Sequence, residues 1–290
     1  MLSIAEEHTH ARRVAGWHER LIETEQSNWE LLREIGEQPR HHLSESATYI
    51  LGEALQLLCM VPSDALSAIV TDPPYGLEYE EKDLLKLKAG RGGVWRIPPS
   101  FDGASRKPLP RFTVLSAEDL QNLRSFFIEF GLRALRALAP GGHLFIASNP
   151  LLSSLTFFAL QAAGFEKRGE IIRLVQTLRG GYKPKGSERD FPEVSVMPRA
   201  CWEPWGIFRK PFDGTVAENL RRWGTGGLRR ASSREPLKDV VACSPTRGRE
   251  KEIAPHPSLK PQRFLRQIVR AALPLGIGVI YDPFAGSSST

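Results

Sequence analysis

AIVTDPPYGLEY, residues 68–79, carries an apolar run directly into a carboxylate, two consecutive prolines and a tyrosine. The apolar run over 66–71 predicts a buried strand. Neither proline can donate a backbone hydrogen bond to a sheet, so the strand must end there in a stiff, extended exit. That exit fixes the direction of the residues on either side, Asp72 and Tyr75 among them. It is either a loop brace or a functional site.

A second strand exit with unusual chemistry lies near the end of the sequence. Residues 278–281 predict a strand, and DPFAGSSST, residues 282–290, follows it directly. Gly286 lets the backbone approach a ligand closely. The serines and threonine after it bring small hydroxyls and N–H groups to the predicted start of a helix. Such a loop suits a charged, nucleoside-containing cofactor, and an ordinary Gly-Ser turn is the alternative.

The segments between these exits alternate between strand and helix patterns. Leucines and phenylalanines recur at helical spacing over 116–138, and Ser116 with Asp119 resembles a capping box. The further predicted elements are strands at 143–147 and 170–175 and helices over 151–163 and 261–273. This βαβαβ order implies an α/β domain with a parallel or mostly parallel sheet and helices on both faces. In such sheets ligands bind outside the carboxyl ends of the strands, where both exits lie.

The first part of the chain lies outside this pattern. Residues 1–40 predict one or two amphipathic helices, an extension that either packs on the body or mediates association. Residues 47–60 predict a short strand, a turn at Gly52 and a helix. The stretch 80–114 is rich in Gly, Pro, Lys and Arg and predicts a long loop after the first exit. Long loops in compact domains tend to be functional or mobile.

Composition places the chain among ordinary globular proteins. Its 290 residues are 41% hydrophobic and 25% charged, which allows one large domain or two small ones. No apolar run is long enough for a membrane span, and the N-terminus has no apolar core of a secretory signal. The three cysteines are far apart in the sequence, which argues against a disulfide framework or a zinc knuckle and favours a reducing cytoplasm.

The positive charge is concentrated in one segment. The net charge is +6, and residues 179–251 alone contain 16 Lys and Arg against 9 Asp and Glu. A basic segment on a near-neutral body is typical of a protein with a polyanionic partner, although a solvated basic face is the alternative. Within RRWGTGGLRRASSR, residues 221–234, the candidate phosphate contacts are Arg221, Arg222, Arg229 and Arg230.

Taken together, these motifs resemble those of the amino DNA methyltransferases, which use S-adenosylmethionine. TDPPYG at 71–76 matches the family's catalytic motif, and YDPFAGSSST at 281–290 resembles its cofactor loop. HPSLKP at 256–261 and APGGHLFI at 139–146 resemble two further stretches. The catalytic motif comes first and the cofactor loop 210 positions later, as in the circularly permuted β arrangement. The resemblance covers about 45–290.

The resemblance implies a Rossmann-like methyltransferase sheet, circularly permuted. We expect a helical extension, a catalytic part, a basic target-recognition region and a cofactor-loop part. Their predicted bounds are 1–44, 45–178, 179–251 and 252–290.

The resemblance also gives the catalytic motif a chemical role. An exocyclic amine of a base is a poor nucleophile, because its lone pair is delocalised into the ring. Asp72 and the carbonyl of Pro73 would each accept one N–H of that amine and localise the lone pair, with Pro74 keeping the carbonyl aimed. Tyr75 would stack on a base rotated out of the duplex. The expected cofactor contacts are Asp282, Phe284, Gly286, Ser287 and Lys260, with a helix-start lysine on the surface as the alternative for Lys260.

The same resemblance implies that the aspartate form of the motif acts on N6 of adenine in double-stranded DNA, as in restriction–modification. The alternatives are N4 of cytosine, or an inactive remnant that only binds DNA. Methylation of RNA or of protein glutamine is a weaker alternative, since in those families the motif order is the reverse. Glu53 occupies a place where the family often has an acidic residue, and the sequence leaves its role open, while His256 is predicted to be structural.

Two departures from the family pattern lead to further expectations. Ser288 stands where the family usually has glycine, and the sequence given stops at Thr290. In the family, further strands follow the cofactor loop and complete the nucleoside pocket. From the sequence we therefore expect a sheet without its last strands. The alternatives are a truncated gene product, an incomplete sequence, and a chain whose missing part is supplied by a second copy or a companion chain.

Overall fold

The structure is a computed structural model that describes residues 4–35, 40–44, 46–73, 117–175, 181, 183–243 and 259–286. Within it, residues 4–15 and 40–44 are described by their backbone alone. The predicted loop over 80–114, the cap at Ser116 and the structural role of His256 lie outside the described residues.

The described part of the chain contains six helices and eight strands. The helices are α1 (Ile4–Arg33), α2 (Ala54–Met60), α3 (Ala117–Ala137), α4 (Ser153–Ala162), α5 (Val216–Trp223) and α6 (Gln262–Ala272). The strands are β1 (Arg40–Ser44), β2 (Ala47–Ile50), β3 (Leu66–Thr71), β4 (Leu138–Ala147), β5 (Glu166–Leu174), β6 (Trp202–Arg209), β7 (Val240–Ala242) and β8 (Ile280–Tyr281). None of the described helices is long and apolar enough to cross a membrane.

A six-stranded open sheet in the order β7-β5-β6-β4-β3-β8 forms the centre of the fold. Strand β3 pairs in parallel with both β4 and β8, and β5 pairs in parallel with β7. Strand β6 runs antiparallel to its two neighbours, β4 and β5. Consequently β3, β4, β5, β7 and β8 all end at one edge of the sheet, the carboxyl edge, and β6 begins there. The predicted α/β sheet is confirmed, as mixed rather than purely parallel.

Strand β6 was not predicted, and it changes the interpretation of the basic segment. The sequence predicts a basic target-recognition region over 179–251 and no strand within it, but Trp202–Arg209 lies in the middle of the sheet and Val240–Ala242 at its edge. The residues of β6 favour a strand, because Trp205, Ile207 and Phe208 are aromatic or β-branched and become buried. Pro204 and Gly206 weaken that pattern in the sequence.

Each face of the sheet carries its own apolar core, because side chains alternate between the faces along a strand. Ile69 packs with α2, α3 and α4 in one core, which also includes Phe127 and Phe130. Ala68 and Val70 face the other way and pack against α6. By this alternation the next residue in register with Val70, Asp72, belongs on the α6 face.

Helix α1 packs on the body of the protein. Its buried Leu32 and the following Ile35 join the core beside α2 and α3, and Leu21 lies against Gly224 at the end of α5. Of the two alternatives for the N-terminal residues, the structure shows packing. The strand–turn–helix prediction for 47–60 is also confirmed, and β2 pairs with β1, a strand that the sequence did not suggest.

Candidate active site

The two strand exits meet at the carboxyl edge, because β3 and β8 are neighbours. Ala68 pairs with Ile280 and Ile69 with Tyr281. Just beyond this pairing, the buried hydroxyl of Thr71 donates a hydrogen bond to Oδ1 of Asp282, with 2.6 Å between the oxygens. The fold thus brings together two motifs that are 210 positions apart in the sequence.

The turn after β8 is held by its own aspartate and by an aromatic anchor. Oδ1 of Asp282 also accepts a hydrogen bond from the backbone N–H of Phe284, at 3.0 Å. The ring of Phe284 packs against Phe126 and Phe130 of α3, with centroids 6.3 and 5.9 Å apart. Gly286 then adopts a left-handed backbone with φ of 53°, which a side chain would disfavour. The turn is therefore fixed at both its carboxylate and its aromatic side chain.

Negative charge and burial shape the surroundings of this turn. Burial, and then the nearby carboxylates of Asp282 and Glu53, raise the pKa of Tyr281 to about 12. Its phenol is therefore neutral and able to donate a hydrogen bond at any physiological pH. Glu53 itself is the N-cap of α2, since its carboxylate accepts a hydrogen bond from the N–H of Gln56 at 2.7 Å.

Asp72 is paired with a lysine from the other end of the sequence. The ammonium group of Lys260 lies 2.6 Å from Oδ2 of Asp72. Lys260 is only 9% exposed, so the surface alternative for this lysine is wrong. It stands just before α6, the helix on the face of the sheet where alternation places Asp72. Its predicted contact with the cofactor stays a prediction.

A second carboxylate completes this ionic cluster. Oε2 of Glu203 lies 3.5 Å from the ammonium of Lys260 and accepts a hydrogen bond from the guanidinium of Arg173 at 3.0 Å. Oε1 of Glu203 accepts a hydrogen bond from the indole N–H of Trp205 at 2.7 Å. The cluster Asp72–Lys260–Glu203–Arg173 contains two negative and two positive side chains, so its charges balance.

The electrostatics of Lys260 follow from these neighbours. Burial alone would lower the pKa of Lys260, because it disfavours the charged amine. The carboxylates of Asp72 and Glu203 outweigh that penalty and raise the pKa above its ordinary value. Lys260 is therefore charged at every pH at which the protein would work.

The other predicted catalytic and cofactor residues are placed only in part. Pro73 is buried directly after Asp72. Pro74, Tyr75 and Ser287 lie outside the described residues, so their predicted roles are not addressed by the geometry. Among the described residues, no group of three or more His, Cys, Asp or Glu side chains could hold a metal ion.

The four predicted phosphate contacts lie away from Asp72. Helix α5, which carries Arg221 and Arg222, is fixed to the start of β4 by a hydrogen bond from Asn219 to the carbonyl of Pro140. The guanidinium of Arg229 lies beside Gly276, in the turn that leads into β8. These positions belong to the amino edge of the sheet, a strand length of about 20 Å from the carboxyl edge. All four side chains, Arg230 included, are exposed.

Sequence reasoning missed three polar residues of the site. Thr71, Glu203 and Arg173 were not singled out, although Thr71 and Arg173 are among the few buried polar side chains of the described part. Alternation along β3 gave a signal for Thr71, which had to face away from Asp72. Glu203 and Arg173 required the pairing of β5 with β6, which no local pattern contains.

Comparison with known proteins adds the family. A family model for N6/N4 methyltransferases, described as DNA methylase, matches residues 66–290. A search of curated proteins found no match.

Among solved structures, the cytosine-N4-specific PvuII DNA methyltransferase is 14% identical, with 83% of this chain and 75% of that chain covered and a TM-score of 0.50. TTHA0409 from Thermus thermophilus, named as a candidate DNA modification methylase, is 18% identical, with 83% and 80% covered and a TM-score of 0.47. That protein has also been solved in complex with S-adenosyl-L-methionine, at a TM-score of 0.45. At these identities the likeness to PvuII methyltransferase supports a shared fold.

Proposed function

The chain belongs to the N6/N4 DNA methylase family, and we propose that it transfers a methyl group from S-adenosylmethionine to the exocyclic N6 of adenine in double-stranded DNA. The observation that carries the proposal is the joining of the two motifs. The Asp72 exit and the Asp282 turn stand side by side at the carboxyl edge, linked by the hydrogen bond from Thr71. An acceptor for an amine thus lies next to a loop suited to a cofactor.

The residues of the turn fit S-adenosylmethionine, which bears a cationic sulfonium and an ammonium group. Asp282 supplies a fixed carboxylate for positive charge, and the left-handed backbone at Gly286 leaves the turn without a side chain where a ligand would approach. The ring of Phe284 packs against α3 and keeps the turn in place. The cofactor would therefore contact the backbone of Phe284 and not its ring. When bound, the cofactor supplies an electrophilic methyl group.

The chain's own contribution is to position the amine. One oxygen of Asp72 and the carbonyl of Pro73 accept the two N–H groups of the target and turn its lone pair outward. Because Pro73 is buried and Asp72 is held by Lys260, these acceptors are fixed before the substrate arrives. Holding both reactants in line then supplies much of the rate.

Adenine is proposed over cytosine because the catalytic motif begins with Asp72, and in the family that it resembles the aspartate form favours adenine. The likeness to the cytosine-N4-specific PvuII enzyme supports a shared fold and does not decide which base is methylated. N4 of cytosine is therefore the competing outcome of the test. We also propose that Arg221, Arg222, Arg229 and Arg230 contact phosphates, supported by their exposure and by the basic excess of 179–251. A cytoplasmic location is also proposed, from the three widely spaced cysteines of the sequence.

The test is methyl transfer to unmethylated duplex DNA, followed by digestion and mass spectrometry of the nucleosides. We expect N6-methyladenine, and N4-methylcytosine would correct the base while keeping the reaction. Asp72→Ala should abolish transfer and retain DNA binding. Asp213→Ala, an exposed aspartate at the opposite edge of the sheet, is the control and should behave as the unmodified chain. Transfer by Asp72→Ala at an undiminished rate would refute the proposed site.

A further inference from the structure

The ionic cluster on the α6 face is built from four separate parts of the fold. Asp72 follows β3, Arg173 lies near the end of β5, Glu203 near the start of β6, and Lys260 before α6. Period-two alternation directs the strand residues to one face: Arg173 with Ile171, and Glu203 with Trp205. Ile171 and Trp205 both pack in the core that α6 covers. The four side chains meet only because the sheet and α6 bring these separate parts of the sequence together.

The cluster is too buried to be a surface ion pair. Arg173 is 4% exposed and Lys260 9% exposed, and the guanidinium of Arg173 also lies over the ring of Phe264, 5.5 Å from its centroid. Desolvating such charges costs about as much as their attraction returns, so a buried ion pair contributes little net stability compared with apolar packing. Stability is therefore a poor reason for placing an ammonium group here, whereas a fixed geometry is a good one.

The geometry fixes Asp72 in a chain of contacts. Lys260 holds Oδ2 of Asp72 at 2.6 Å and has Glu203 on its other side at 3.5 Å. Glu203 cannot rotate without losing bonds, because each of its oxygens accepts a further hydrogen bond, one from Arg173 and one from Trp205. The orientation of the carboxylate is thus tied to the rigid centre of the sheet.

We propose that Lys260 is a positioning residue: its ion pair with Asp72, buttressed by Glu203, holds the carboxylate in the orientation in which it accepts the target amine. The inference rests on the proposed methyl transfer. It assigns to Lys260 a role through Asp72, in place of the predicted contact with the cofactor. It also assigns a role to Glu203, a residue of the basic segment that no motif marked.

The test compares Lys260→Met with Lys260→Arg and Glu203→Gln. Misplacing a catalytic group by about 1 Å can cost roughly 100-fold in rate, so Lys260→Met should lower kcat by about that factor. The KM for DNA and the affinity for S-adenosylmethionine by calorimetry should stay within about 3-fold, since the contact acts only on the reacting amine. Lys260→Arg, which keeps the charge, should restore part of kcat, and Glu203→Gln should show a smaller loss.

A matched control is available at the other edge of the sheet. Lys210 is paired with Asp64 at 2.7 Å and is partly buried, so Lys210→Met removes a comparable ion pair far from Asp72. Equal kcat in Lys260→Met and Lys210→Met would overturn the inference. So would an unchanged kcat accompanied by a large loss of cofactor affinity, which would return Lys260 to the cofactor.

An independent measure of the pair comes from unfolding. In a double-mutant cycle, Asp72→Asn and Lys260→Met should be non-additive in free energy of unfolding, because both substitutions remove the same ion pair. Additive effects would overturn the pairing whatever the activity. If the unmodified chain transfers no methyl group, the proposed function fails and the positioning role of Lys260 fails with it, whereas a failure confined to Lys260→Met leaves the proposed function unaffected. Should Lys260→Met not fold, Glu203→Gln and Lys260→Arg carry the test.

Discussion

At the scale of single residues, Thr71 links the two halves of the site. Its buried hydroxyl donates to Asp282, which is also bound by the N–H of Phe284. Thr71→Val keeps the shape and removes this donor, so Asp282 loses the contact that ties it to β3. We expect a loss of about 1–2 kcal/mol in the free energy of unfolding and weaker binding of S-adenosylmethionine, measured by calorimetry.

A suitable control for Thr71→Val is Thr156→Val. Thr156 is buried to a similar degree but lies in α4, outside both β3 and the turn that follows β8. Its replacement should leave cofactor binding as it is. Equal cofactor affinities in both variants would show that the Thr71 bond has no part in shaping the turn.

His143 gives the molecule a dependence on acid that is separate from the site. Burial, followed by the positive charges of Arg209 and Arg168, lowers the pKa of His143 to about 3. In the unfolded chain His143 takes up a proton near pH 6.5, whereas in the folded chain it stays neutral at that pH. The free energy of unfolding therefore decreases as the pH drops below about 6.5. From about pH 7 to about pH 5 this costs about 2 kcal/mol.

The measurement compares urea unfolding of the unmodified chain and of His143→Leu at both pH values. The unmodified chain should lose about 2 kcal/mol more than His143→Leu over this interval. Parallel losses would mean that His143 is not held neutral in the folded state.

The same residues show what could be predicted from sequence at this scale. The positions of Asp72 and Asp282 at the ends of their strands could be predicted, because each follows an apolar run and precedes a proline that ends the strand. The contact of Asp72 with Lys260 could not be predicted, because it depends on α6 covering the face toward which Asp72 points. In the sequence, Pro261 beside Lys260 predicted only the start of a helix.

At the scale of elements, α5 is held to the sheet by a buried amide. The Asn219 side chain donates to the carbonyls of Pro140 and Thr225, both at 2.9 Å. Asn219→Ala removes these bonds and leaves two buried carbonyls with fewer donors. We expect a loss of about 2–3 kcal/mol in the free energy of unfolding and faster amide hydrogen exchange in α5.

Because α5 lies at the amino edge, this variant should keep its kcat for methyl transfer at a temperature where it is folded. Gln161→Ala, exposed on α4, serves as a control that should change neither stability nor exchange. A fall in kcat of Asn219→Ala would show that α5 communicates with the carboxyl edge.

Elements with local signals were predicted well and those that depend on distant pairing were not. Strand β3 and helix α3 follow from hydrophobic period and are confirmed within one or two residues. Strand β4 is longer than predicted, since it begins at Leu138 and continues through Pro140 and Gly141. Strand β6 combines residues that favour strands with a proline and a glycine that disfavour them. It forms a strand because it pairs with β4 and β5 on either side.

At the scale of the whole molecule, the two edges of the sheet offer different surfaces to DNA. A duplex that delivers a base to Asp72 approaches the carboxyl edge. The chain leaves the sheet at that edge after β5 and returns to it at β6, and in between Lys183, Lys185 and Arg189 are exposed. We propose that these cations contact phosphates of a duplex whose base is delivered to Asp72, whereas Arg221 and Arg222 lie at the amino edge.

Salt titrations of DNA affinity can separate the two surfaces. Each phosphate contact adds about 0.9 to the slope of log affinity against log salt, so Lys183→Gln, Lys185→Gln and Arg189→Gln together should lower the slope by about 2–3. Arg221→Gln with Arg222→Gln, the pair at the amino edge that we also propose as phosphate contacts, should lower the slope by about 1–2. A lower slope in both variants would mean that the duplex extends along the molecule. If only the arginine variant changed, DNA would bind on the side away from Asp72, and the proposed delivery of a base to the carboxyl edge would be wrong.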